Sequence, residues 1–209
     1  MVIAGVIAGG GILILLIGIG AYGLLRGPAS TAPPSTATSS ASNPGVAAPV
    51  MQPRPLAATA RSEVFARSVA DSLFRWDTRS SAGPAEWSQP LIDVGDADEA
   101  AGLASDVRGY LPTVEQWDQL EMYGTVQRLT IDVIRVPAAW AGAVAQAAPG
   151  QLPPGAIAYT ISGIRHRNGT WDGEPTTTAS EVTFTVFIAC PRDQHCRLLR
   201  LSRLNEPLE

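Results

Sequence analysis

Lysine is absent from this 209-residue chain, and all fifteen of its basic residues are arginine. That removes Schiff-base chemistry and the lysine of a Walker-type phosphate loop. Histidine and cysteine occur only twice each, which leaves little for metal or nucleophilic work. The formal net charge is −4, so no strong positive field for nucleic acid is expected.

The N-terminal stretch lacks charge altogether. Val2 to Leu25 reads VIAGVIAGGGILILLIGIGAYGLL, 24 residues without a charge. As a helix it would rise about 36 Å at about 1.5 Å per residue, against a bilayer core of about 30 Å. A single transmembrane helix over 2–25 is therefore expected. Its seven glycines are tolerable in lipid. Gly5, Gly9 and Gly10 fit a small-xxx-small contact but are read as composition. A cleaved signal peptide is the rival reading. The apolar run is long for one, no charged segment precedes it, and Gly27-Pro28-Ala29 is a poor cleavage site.

Residues 26–60 lack anything that could build a core. Pro, Ser, Thr and Ala dominate, the composition of a linker that extends where proline clusters, up to roughly 100 Å at about 3.1 Å per residue.

From residue 61 to 209 the periodicity is that of a folded domain. Ser62 is a helix cap, and Phe65, Val69, Leu73 and Trp76 make one apolar stripe. That helix should stop near Asp77-Thr78, before the loop SSAGP. A second helix is expected from Asp96 as N-cap with Glu99 three residues on, and a third after Pro112, where Thr113 and Gln116 form a capping box. The acidic run Asp93, Asp96, Asp98, Glu99 lacks the ligand spacing and glycine of a calcium loop. It reads instead as acids complementing a helix dipole.

Alternation with a period of two then takes over. TVQRLTIDVIRV, GAIAYTISGIRHR, EVTFTVFIAC and CRLLRLSRL predict four strands, each with one polar face. Leu129, Ile131 and Val133 point inward on the first of them. A short Ala-rich helix carrying Trp140 separates the first two strands, and RNGTWDGEPTTTAS reads as a connection. The fold class is α+β, with about three helices packed on a curved four-stranded antiparallel sheet.

CPRDQHC, residues 190–196, holds both cysteines and His195. Three ligands at most are short of a closed zinc cage, and the adjacent His195 and Cys196 point to opposite faces of a strand. A catalytic cysteine would need a histidine within reach in a pocket. A hairpin pairing residues 190 and 196 instead brings their Cα atoms within disulfide range, and a Cys190–Cys196 staple is the favoured reading. That register sets Ile188 against Leu198 but Val186 against Arg200, a mismatch that a bulge or a sheet covered on both faces would resolve. A disulfide persists in oxidising surroundings. It places the domain outside the cell and outweighs Arg26, which by the positive-inside rule votes the other way.

Three segments carry a resemblance: VFARSVADSLFRWDT, GQLPPGAIAYTISGIRHRNGTWDGEP and CRLLRLSRLNEPLE. They resemble an actinobacterial family of conjugal-transfer membrane proteins, over about residues 61 to 209. The layout is similar to the bitopic assembly factor of type IV secretion systems and its Gram-positive TcpC-like counterparts. The resemblance implies a cone-shaped, nuclear-transport-factor-2-like extracytoplasmic domain on a single-pass cell-membrane protein. It also implies a non-enzymatic assembly role among other transfer-apparatus proteins, with homo-oligomers in scope and no direct nucleic-acid contact. No catalytic residue, cofactor or metal is assigned. Residues 61–121 hold 12 acids and 5 arginines, and residues 122–209 hold 7 and 8, an asymmetry that could orient subunits. The alternatives are an enzyme, or a module for lipid or cell wall, using the cavity of the same fold. Asp132, His166 and Tyr159 are the only candidates for acid–base chemistry, and by alternation Asp132 and His166 point away from the apolar side.

Overall fold

The computed structural model of the protein describes residues 49–209. The membrane span expected over 2–25 and most of the expected linker lie outside the described residues. No helix among the described residues is long and apolar enough to cross a membrane.

Helix α1 (Ser62–Phe74) forms where the stripe was expected and buries Phe65, Ala66, Val69, Ala70, Leu73 and Phe74. It ends one turn earlier than the stripe implied. Arg75 turns extended, and Trp76 lies on a short strand β1 (Trp76–Asp77) paired with Gln127. Trp76 is core as expected, but in a second cluster with Met51, Trp87, Trp117 and Val126. Leu73 and Phe74 already fill the first cluster under the helix.

Helix α2 (Pro84–Asp93) was not expected. Pro90 sits inside it, and an interior proline argues against a helix because it forfeits a backbone bond and crowds the preceding turn. The start signals are nonetheless present. Pro84 occupies the first turn, and the Glu86 carboxylate accepts the Gly83 N–H at 3.0 Å. Helix α3 (Ala100–Arg108) begins later than Asp96. Asp96 instead closes a turn, its carboxylate accepting the Asp98 N–H at 3.0 Å. Its own N–H is committed to Leu198 O at 2.8 Å. Helix α4 (Val114–Glu121) carries the expected capping box of Thr113 and Gln116.

The sheet has five strands in the order β1-β2-β3-β4-β5, all neighbours antiparallel. The added members are β2 (Val126–Arg135), β3 (Ala156–Trp171), β4 (Glu174–Ala189) and β5 (Arg197–Leu201). The sheet curls, and four helices cover one face. The short helix α5 (Ala139–Gln146) joins β2 to β3, as the sequence suggested, with Trp140 against Phe187.

Three expectations about the strands change. The connection RNGTWDGEPTTTAS is itself strand. β3 and β4 run on to a two-residue turn at Asp172-Gly173, both at positive φ (48° and 82°), the geometry for which an Asp-Gly pair is favoured. Alternation on β2 breaks at Asp132, where a bulge shifts the register. Val133 therefore turns outward, 49% exposed, and Ile134 packs on the core. Gly163 faces this bulge, and a Cβ there would run into the Thr130 carbonyl.

The polar face is not left open near β5. Thr160 and Thr185 are buried there and hydrogen-bond each other at 2.9 Å. The C-terminal residues lie over them, with Thr160 donating to Leu208 O and Leu208 N–H donating to Thr185. The main core lies on the other face, where Phe74, Tyr110 and Phe184 meet with ring centroids 5.3–5.9 Å apart.

Residues 49–60, the end of the expected linker, lie on the body. The Met51 side chain is buried among tryptophans, and Thr59 O accepts the Cys196 N–H at 2.8 Å.

Candidate functional site

The three residues named for acid–base chemistry are not brought together. Asp132 is exposed on its bulge. His166 meets Thr130 at 3.1 Å on the same outer face, and it pairs with Arg128, four residues from Asp132 along β2. Tyr159 is on the opposite, core face, where its hydroxyl meets Ser62 Oγ at 2.8 Å. General acid–base work needs groups converging on one proton, and this arrangement spreads them over two faces of a sheet.

CPRDQHC is the β4–β5 turn, and Cys190 and Cys196 form a disulfide across it, with Cα atoms 4.1 Å apart. Ile188 faces Leu198, as the register required. The mismatch at Val186 is removed by a bulge between Phe187 and Ile188, which sets Arg200 beside Phe187 and Leu201 beside Val186. Leu199 is the extra residue, and it is buried, because the second face is covered too. His195 is exposed at the turn.

A different group of residues lines a concavity, which the sequence reading did not single out. β3 keeps its core-facing parity beyond Ile161 through Gly163 to Arg165 and Arg167, opposite Leu129 and Gln127 of β2. The helix layer ends here, at the Gly109–Pro112 loop and α4. The result is an open cleft of about 400 Å³ at the mouth of the curled sheet, with Tyr110, Gln116, Gln119, Tyr123, Arg165 and Arg167 among its walls. The signal was available: extending the alternation of Tyr159 and Ile161 by three more steps puts both arginines on the inner face.

Arg167 is held from below. Its Nε donates to Gln127 Oε1 at 2.8 Å, and buried Gln127 in turn donates to Phe74 O at 3.2 Å. The guanidinium lies over the Trp76 ring, 5.4 Å from its centroid, a favourable cation–π position. Arg165 donates from Nε to Ser180 Oγ at 3.2 Å. Burial, and then the neighbouring Arg165 charge, pull the Arg167 pKa below its ordinary value. Burial pushes the Tyr110 hydroxyl well above the usual phenol range, and it donates to Ser202 O at 2.7 Å.

Beside this mouth the β3–β4 hairpin projects as an arm whose β4 side is exposed from Glu174 to Ala179. At its tip Trp171, 57% exposed, stacks on Tyr123 at 4.9 Å. Aromatic side chains left wet on a rigid element are typical anchors for a partner surface. No protein-family model, curated protein or solved structure matches this chain.

Proposed function

We propose that the chain is a non-enzymatic assembly subunit of a conjugative, type IV secretion-like DNA-transfer apparatus. In this reading residues 2–25 anchor it in the cell membrane, and the disulfide-bearing domain sits outside, meeting other components through protein contacts. The observation that carries the reading is the β3–β4 hairpin with exposed Trp171 near its tip, a surface suited to protein contact. The curled antiparallel sheet with helices on one face supports the nuclear-transport-factor-2-like expectation. The Cys190–Cys196 bond supports an oxidising location.

The test is a photo-reactive amino acid placed at Trp171 or Thr176 of the full chain, activated in intact cells, with the captured molecules identified. Capture of transfer ATPase or channel subunits is expected. Recovery of wall polymers or lipids alone would overturn the assembly role.

A further inference from the structure

Arg165 and Arg167 stand two residues apart on β3, so both side chains leave the same face of the strand. Every ion pair among the described residues, taken as nitrogen to oxygen within 4.0 Å, involves some other arginine. Acids are not scarce in this chain. Asp96, Glu99 and Asp106 are drawn to Arg197 and Arg200 on β5, yet among the described residues no acid pairs with either arginine of the mouth. Two like charges are thus kept side by side, half-buried, without a carboxylate.

The pair is also held in place. Gln127 and Trp76 fix Arg167 from beneath, and Ser180 engages Arg165. In each case the hydrogen bond uses Nε, which leaves the outer nitrogens of both guanidinium forks uncommitted to it, and both arginines line the cleft. A planar guanidinium suits a carboxylate, which accepts two parallel hydrogen bonds. A fixed fork also loses little freedom when the bonds form.

We propose that this mouth is a carboxylate-binding site, and that its occupant is an acidic side chain on a segment of a partner protein. The proposal rests on the reading of the domain as a protein-contact module, and it names the chemistry of the contact. A nucleic-acid backbone fits less well, because a phosphate track calls for a run of cations and here the cations stop at two. Leu111, Leu120 and Leu204 complete the walls, an apolar surface for the aliphatic neighbours of the bound acid.

The experiment uses the full chain in detergent micelles and two labelled peptides, Gly-Leu-Glu-Glu-Leu-Gly and its Gln-Gln counterpart, followed by fluorescence anisotropy. The Glu peptide should bind at least about tenfold more tightly than the Gln peptide, since charge-assisted hydrogen bonds are roughly twice as strong as neutral ones. The double variant Arg165→Gln with Arg167→Gln should lose that preference, whereas Arg203→Gln, on the exposed Arg203–Glu206 pair, should keep it. Comparing two peptides on the unaltered chain does not depend on any variant folding, and far-UV circular dichroism checks the double variant. Equal binding of the two peptides, no binding of either, or a preference that survives the double substitution would overturn the site. So would displacement of the Glu peptide by a thymidine oligonucleotide or inorganic phosphate at lower concentration than by unlabelled peptide. Any of these results leaves the crosslinking test of the assembly role standing on its own.

Discussion

Asp77 shows how one side chain can hold a segment that its sequence neighbours do not predict. Its carboxylate is fully buried and accepts the Met51 N–H at 2.9 Å, the Arg79 N–H at 3.0 Å and the Arg79 guanidinium at 2.7–2.8 Å. Burial alone would raise its pKa, but the bonds from Arg79 and Met51 outweigh burial and hold it below the ordinary value of 3.8. A depressed carboxylate contributes stability above its unfolded pKa, and that stability is lost as pH falls through the folded one. Asp77→Asn should therefore cost about 2 kcal/mol at neutral pH, the scale of hydrogen bonds to a charged group. The gap between the variant and the natural chain in urea unfolding should close as pH drops below about 4. None of this was legible in the sequence. Met51 lies 26 residues from Asp77 in a stretch whose composition reads as linker, and only the tertiary fold makes a buried partner for it.

At the scale of elements, the amphipathic helix α1, the capping box of α4 and the cysteine staple were legible because each is a local pattern with a local cause. The misses were local too, but masked. Pro90 hid α2, and a polar composition hid the Asp172-Gly173 hairpin although its turn signal stood in plain view. The inner-facing arginines were missed because alternation was followed only while the side chains stayed apolar. The β2 bulge has a partner that tests it. Gly163→Val would set a side chain against the Thr130 carbonyl, and overpacking of this kind costs about 1–3 kcal/mol. Thermal unfolding should record the loss, and Gly163→Ala should give a smaller one. The staple closes a short loop, with six residues of separation. The chain-entropy relation then gives about 2 kcal/mol for its removal. Cys190→Ser with Cys196→Ser should lower the unfolding free energy measured in urea by that amount and abolish the response of the midpoint to reductant.

For the whole molecule, the boundary of the folded unit lies nearer residue 49 than residue 61. A chain beginning at residue 61 would uncover Trp76, Trp87 and Trp117 where Met51 now packs. Burying a methionine is worth about 1.5–3 kcal/mol, so that chain should unfold in less urea than one beginning at 49. Its tryptophan emission should also shift to the red before unfolding begins. The bond between Thr59 O and the Cys196 N–H has a mechanical consequence. Tension applied to the N-terminal end of the body would be felt first at the Met51 seat and next at Cys196. With the sulfurs joined, that load passes straight to the end of the sixteen-residue β4. With them parted it would enter through the five-residue β5, which would peel away like the end of a zip once its bonds to Val94, Asp96 and Asp106 gave way.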